Sequence, residues 1–192
     1  MRASQRKLVN PHSIVWLAAT LAAFLVVALA PIARAEAPGT VGTAKFLARG
    51  PAGLKIEGKT DALTCAPQGD LVVCALPVGR FSTGIDLRDH HLYKALDSAA
   101  FPDAKLEVVR AGLAVLAAGA EASADGKGRL TFHGQTKSVA FKYTAKRADG
   151  FDVTAALALD LRDFAVEPPS YLGITVRPEV EVTVSFHLAA VP

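Results

Sequence analysis

Tryptophan and methionine each occur once in the 192 residues, at Trp16 and Met1, and cysteine only twice, at Cys65 and Cys74. No Cys-x-x-Cys or His-x-x-x-His pair is present, so the spacings that grip a metal ion are missing. No Gly-x-Ser-x-Gly elbow offers a serine nucleophile, and no glycine-rich loop is arranged to cradle a phosphate. Asp and Glu are absent from the first 35 residues, which nevertheless hold Arg2, Arg6, Lys7 and Arg34. Setting those four aside leaves 17 of the 21 Lys and Arg against all 18 Asp and Glu, a net charge near −1. The pI near 9.0 therefore comes from the leading segment, and a nucleic-acid partner finds no basic field on the rest of the chain. No interior linker or repeat divides the remaining residues. A single domain of about that size buries roughly two-thirds of its surface.

The basic start, an uncharged apolar run from Ser13 to Ala30, and the small-x-small triplet Ala33-Arg34-Ala35 before Glu36 form the three parts of a secretory signal. Cleavage is expected between Ala35 and Glu36, giving a signal over residues 1–35 and a domain over 36–192. A run of that length could also span a membrane if it stayed attached. No cysteine follows the junction to carry a lipid, and Arg6-Lys7 is not a twin-arginine pair. The location implied is outside the cytoplasm: secreted, and periplasmic in a Gram-negative cell.

Both cysteines survive into that domain, and the residues between them set their placement. With Gly69-Asp70 as a two-residue turn, Gln68 faces Leu71, Pro67 faces Val72, and Cys65 faces Cys74. The cysteine pair falls at a non-hydrogen-bonded position, where Cα atoms lie roughly 4.5 Å apart, within reach of a disulfide. An oxidising compartment favours that bond.

Elsewhere the dominant signal is a period of two. Leu130 and Phe132 alternate with Arg129 and Thr131, and Val139, Phe141 and Tyr143 alternate with Ser138, Ala140 and Lys142, so two strands are expected with Gly134–Lys137 as the loop between them. Leu54 and Ile56, Leu106 and Val108, and the set Phe151, Val153, Ala155, Leu157, Leu159 and Leu161 follow the same rule. The last strand is the cleanest, with Val180, Val182, Val184, Phe186 and Leu188 on one face. Only Leu87–Leu96 reads as helix. Single-faced antiparallel strands in meander order close into an up-and-down barrel, an arrangement that removes exposed edges. The class expected is all-β: an eight-stranded, lipocalin-like antiparallel barrel with one short helix. A barrel of that size either fills itself with side chains or holds one slender ligand. Inward Phe132, Phe141, Tyr143 and Phe186 are interspersed with small Gly58, Ala145 and Ala155, and the pattern leaves both outcomes open.

Asp86, Asp89, His90 and His91 form the densest titratable group. On a helix Asp86 and His90 share a face, which suits acid–base chemistry, but His90 and His91 diverge by about 100° and grip one ion poorly. The structural reading of this group, and of His133 beside its turn as a histidine bonded to loop backbone, is preferred. Glu167-Pro168-Pro169-Ser170-Tyr171-Leu172-Gly173 is either a lid over one barrel mouth or a stiff connection.

Three ordered segments carry a family resemblance. Leu130-Thr131-Phe132-His133-Gly134-Gln135-Thr136-Lys137 resembles the Thr-hydrophobic-His-Gly-x-Thr-Lys hairpin of the YceI-like family of secreted lipid-binding barrels. Thr83-Gly84, Arg88-Asp89-His90-His91-Leu92 and Phe101-Pro102 are similar to that family's preceding motifs, and Asp160–Val166 to the segment before its last strand. The family's opening Trp and Asp-x-x-His-Ser are absent, so the resemblance does not set the register of the first strand. It implies a long isoprenoid quinone or polyprenyl lipid in an apolar tunnel, with no catalytic cycle, no metal and no other cofactor. Phe132, Phe141, Tyr143, Ala155, Leu157, Phe164, Tyr171, Leu172 and Phe186 are then the expected ligand contacts. Arg88, His90, Arg162 and Tyr171 are the expected head-group contacts by position. Transient membrane contact would accompany such a ligand, and the oligomeric state is left open. The rival readings are a filled barrel acting as an envelope interaction module, and a lipid-acting enzyme using Asp86 and His90.

Overall fold

Period-two alternation is realised as eight antiparallel strands that close on themselves. The computed structural model describes residues 39–113, 116–171 and 174–189, with only the backbone of Tyr171; the expected signal, its Ala35–Glu36 junction and Leu172 lie outside the described residues. The strands are β1 (Thr40–Arg49), β2 (Lys55–Gln68), β3 (Leu71–Pro77), β4 (Asp103–Val109), β5 (Glu121–Phe132), β6 (Gln135–Arg147) and β7 (Gly150–Asp160). A two-stranded hairpin of β8 (Ser170–Tyr171) and β9 (Ile174–Thr175) precedes β10 (Glu179–Ala189), and α1 (Asp86–Ala95) lies between β3 and β4. Around the barrel the order is β1-β10-β7-β6-β5-β4-β3-β2, so each strand beside its sequence neighbour pairs with it and β10 closes the circle on β1. α1 begins and ends one residue before the helix expected from the sequence.

The β2–β3 hairpin has the expected register, with Gln68 opposite Leu71 and Cys65 opposite Cys74. A disulfide joins the two cysteines, whose Cα atoms are 4.1 Å apart. The β5–β6 hairpin corrects the sequence expectation: its turn is His133-Gly134, not Gly134–Lys137, and Phe132 pairs with Gln135 and Thr131 with Thr136. Both turn residues have positive φ, 47° and 72°, as a two-residue turn matching the strand twist requires. Histidine tolerates that region better than branched residues do.

β1 escaped the alternation rule because its inward positions, Gly42, Ala44, Phe46 and Ala48, are mostly small while Val41 and Leu47 point the other way. The first half of β5 is hidden likewise by inward Ala122, Ala124, Gly126 and Gly128. Some of these small residues make room for rings. A Cβ at Gly58 would overlap Phe46, and one at Gly126 would overlap Phe141. In β2 the pairing shifts between Gly42 opposite Leu63 and Ala44 opposite Thr60. This irregularity re-phases the strand, so Leu63 and Cys65 join Thr60 on the buried side.

Two apolar clusters hold the barrel. At the end where β1 and β7 finish, Ala48, Leu130, Val180, Leu161, Phe164, Val166 and Val176 pack together. The last four come from the crossing between β7 and β10, whose 3-10 turn Leu161–Phe164 is capped by the Asp160 carboxylate accepting from Arg162 N–H. Toward the opposite end Val108, Leu116, Phe141, Tyr143, Ala145 and Ala155 form the second cluster.

Candidate functional site

The inward side chains do not meet at the centre. They surround a cavity of about 1230 Å³, larger than the roughly 300–1,000 Å³ of most small-molecule sites. Its wall is overwhelmingly aliphatic and aromatic, contributed by all eight barrel strands. Burial along the strands gives the same answer independently. On β10 the inward Val182, Val184, Phe186 and Leu188 are only half-buried, as are Phe151, Val153, Leu157 and Leu159 on β7. Side chains that face the axis yet keep accessible surface border open lumen rather than one another.

Phe132, Phe141, Tyr143, Ala155, Leu157 and Phe186 all line this cavity. The structure brings them together from β5, β6, β7 and β10, with the Phe141 and Tyr143 rings 6.0 Å apart. Phe164 is not part of the wall: it is 2 % exposed and packs behind Phe132, ring centroids 5.6 Å apart, in the β7–β10 crossing at the end where β1 and β7 finish. His133, on the polar side of that hairpin, places Nδ1 3.1 Å from the Phe164 carbonyl oxygen and its ring against Phe101. It is bonded to loop backbone, but of the crossing rather than of its own turn. Glu167, Pro168, Pro169 and Ser170 of the same crossing line the cavity, as does Ile174 on β9.

The polar lining is sparse. Arg88, His91 and Lys94 occur at three-residue steps along one stripe of α1 and line the cavity with Leu87, Leu92 and Ala95. His90, expected there from the sequence, is instead exposed and outside the wall, because one residue along a helix turns the side chain by about 100°. Asp86 is exposed outside the wall as well. Arg162 also lies outside: its guanidinium grips Asp160, Nε 2.9 Å and Nη2 2.5 Å from the carboxylate oxygens, and approaches Glu179 at 3.8 Å. The bond to Arg162 holds the Asp160 carboxyl below the usual aspartate range. At the other end Arg110 and Arg147 border the cavity beside Leu113 and Leu116, and Arg147 donates to the Leu116 carbonyl at 2.8 Å. Arg110, Leu113 and Leu116 sit in the β4–β5 connection, which has no alternation, and Arg147 closes β6; nothing in the sequence pattern marked them.

Asp89, next to the residues singled out in the sequence, does the structural work in α1. Buried at the helix start, its carboxylate accepts from the Ser82 hydroxyl at 2.9 Å, the Thr83 N–H at 2.7 Å and the Thr83 hydroxyl. Arg88 completes the latch through Nε to Thr83 Oγ1 and Nη2 to the Thr83 carbonyl, 2.8 and 2.7 Å. Burial alone would raise the Asp89 pKa, but the Thr83 and Ser82 donors and the Arg88 charge together hold it below the usual aspartate value. The latch fixes α1 to the segment that pairs Ser82 with Lys59 of β2 and seats Phe81 edge-on against Phe46, centroids 5.1 Å apart. The helix is thereby held at the barrel end, with the Arg88–His91–Lys94 stripe toward the lumen.

No group of three or more His, Cys, Asp or Glu among the described residues could hold a metal ion. The arrangement is a deep apolar container with polar groups near its ends, suited to a long ligand held by its tail.

Comparison with known proteins agrees with this architecture. No curated protein sequence matches the chain significantly. Among solved structures, a polyisoprenoid-binding domain from Saccharophagus degradans implicated in plant cell wall breakdown is similar with a TM-score of 0.66 at 17 % identity, covering 80 % of this chain and 99 % of that one. BcnA of Burkholderia cenocepacia is similar with a TM-score of 0.59 at 17 % identity, covering 75 % of this chain and 95 % of that one. At such identities the likeness concerns the fold. The sequence itself goes further: residues 41–188 match the model of the YceI-like domain, most of the chain, and the protein belongs to the YceI-like domain family.

Proposed function

We propose that this protein is a lipid carrier that holds one long apolar molecule, of the polyprenyl or isoprenoid-quinone class, along the axis of its barrel. The observation that carries the reading is the cavity of about 1230 Å³ whose inward Val, Leu and Phe side chains keep accessible surface. Each methylene moved from water into such a wall contributes about 0.8 kcal/mol, so a long tail gains affinity without many polar contacts. Selectivity along the tail is then loose, and discrimination falls to groups near the mouth, His91 and Lys94 foremost. The polyisoprenoid-binding description of the Saccharophagus degradans domain supports the same ligand class.

Carriage without chemistry is the reading the side chains favour. Asp86 and His90 lie outside the cavity wall, where they would not reach a ligand inside. The leading residues 1–35 are proposed to export the chain and to be removed before Glu36, which places the carrier in the periplasm of a Gram-negative cell or outside other cells.

Native mass spectrometry of the exported protein, followed by organic extraction, tests the proposal. The expected result is one lipid per chain, of polyprenyl or quinone mass, or stoichiometric uptake of such a lipid when it is added. A protein that emerges lipid-free and takes up none would sink it, and the barrel would then be an interaction module.

A further inference from the structure

Six large apolar residues are well exposed among the described residues: Val41, Leu54, Ile85, Leu87, Val109 and Ile174. They are not scattered. Leu54, Ile85, Leu87 and Ile174 all line the cavity as well, at 37, 52, 63 and 48 % exposure, whereas Val41 and Val109 do not line it. The four belong to different parts of the chain: the β1–β2 connection, the start of α1 and the β8–β9 hairpin. The antiparallel register brings those connections to one end, where β1 and β7 finish and β2 and β10 begin. Apolar side chains that touch both lumen and solvent mark the rim of a mouth.

The geometry points to a lipid bilayer as the occupant of this rim: the mouth docks on the membrane surface with Leu54, Ile85, Leu87 and Ile174 dipping among the acyl chains. Two features of the rim select a bilayer over a protein partner. First, it is continuous with the apolar wall, so a surface seated on it extends one uninterrupted apolar path into the barrel. A bilayer is the surface that can both cover such a rim and supply a long apolar molecule without passing it through water. Second, α1 presents His91 and Lys94 toward the same mouth, Arg88 beside them being held in the latch to Thr83, and Glu167 is the lone carboxylate among the described lining residues. Asp89 is consumed in the latch to Ser82 and Thr83, while Asp86 is exposed outside the lining. A long basic side chain such as Lys94 beside an apolar rim is placed to keep its head at the phosphate level while the rim enters the interface. The docking rests on the carrier reading only for its purpose; the surface itself is independent of what the barrel carries.

Flotation of the exported protein with vesicles tests it. Vesicles of phosphatidylethanolamine with a minority of phosphatidylglycerol contain no polyprenyl lipid, so a failure here is separate from a failure of the cavity to hold its ligand. The wild type is expected to float with them, more weakly with pure phosphatidylcholine, and less as salt rises. The double substitution Leu87→Ser and Ile174→Ser, at exposed positions, is expected to lower the partition coefficient about tenfold or more. A second pair, Leu54→Ser with Ile85→Ser, guards against a local folding defect in the first, and a circular dichroism melt checks both. The pair Val41→Ser and Val109→Ser removes equal apolar exposure away from the rim and is expected to leave flotation unchanged. The proposal is overturned if the wild type does not float, if the rim pairs float as well as the wild type, or if the Val41/Val109 pair loses binding equally. Concentration-dependent dimerisation abolished by the rim substitutions, without vesicle binding, would put a second copy of the chain on the rim and would also overturn it.

Discussion

Val184 offers the sharpest test of whether the lumen belongs to a ligand. It lies midway along β10, faces the cavity, and is flanked across the ladder by Ala44 on β1 and Ala155 on β7. A larger side chain there meets small neighbours on both sides and open space ahead, so Val184→Phe is expected to fold with less than about 1 kcal/mol change in stability. For a domain of this size that is a shift in Tm of no more than roughly 2–4 °C. The effect on a tail is far larger. A ring displacing about five methylene groups removes about 4 kcal/mol of transfer free energy, close to a thousandfold in Kd. Ala155→Phe is the contrasting change, because Ala155 is already packed among Phe141, Tyr143 and Ala145. Overpacking there is expected to cost about 1–3 kcal/mol whether or not a ligand exists. Calorimetric melts paired with titration of a polyprenyl alcohol separate the two effects. If Val184→Phe lowers Tm as far as Ala155→Phe and the wild type binds no polyprenyl chain, the lumen is collapsed in solution and the carrier reasoning is wrong.

Phe164→Ala should cost about 3–5 kcal/mol, since the ring is fully buried in the β7–β10 crossing, while Leu157→Ala, bordering open lumen, should cost near the lower end of the usual 2–5 kcal/mol range for leucine; urea melts compare them directly. Replacing Cys65 and Cys74 together by Ser should cost no more than roughly 2.5 kcal/mol, because the disulfide closes a short loop already held by the ladder, and non-reducing peptide maps of the exported wild type should show the two peptides joined. The Asp89 carboxyl titrates below its unfolded value near 3.8, so its contribution is fully present above that pH and is lost as pH falls through the lower native value. Asp89→Ala should accordingly flatten the acid limb of the stability profile while lowering the neutral plateau; an unchanged acid limb would count against the latch.

Legibility in the sequence followed contrast between the two faces of a strand. β10 alternates apolar with polar residues over most of its length, and β7 sets large inward Phe, Val and Leu against Asp152, Thr154 and small Ala156 and Ala158; their inward faces are where the pattern put them. The Cys65–Cys74 register was equally legible, because a two-residue turn and a period of two leave no freedom once the turn is placed. β1 and the first half of β5 were invisible because glycine and alanine carry most of the inward positions, and the one large inward residue of β1, Phe46, is offset by outward Val41 and Leu47. The expected β5–β6 loop began at Gly134, whereas His133 also takes a positive φ and fills the first turn position, so Gln135, Thr136 and Lys137 belong to β6. Within α1 the choice between His90 and His91 depends on helical phase relative to the barrel, and that phase is set by the Asp89 latch, a tertiary contact no periodicity reports.

The distribution of packing explains how such a barrel can stay folded around an unfilled axis. The two apolar clusters occupy opposite ends, and Leu106 and Leu157 are partly buried side chains that pack against both. Closure pairs every barrel strand with two neighbours and leaves no open edge, so this pairing does not depend on a filled centre. Stability is thus drawn from the β7–β10 crossing around Phe164, the cluster around Phe141 and Tyr143, and the latch that seats α1. The waist between them contributes wall but little packing. A ligand can then enter or leave that waist while both end clusters remain intact, which is the physical condition for a carrier whose folding does not depend on its cargo.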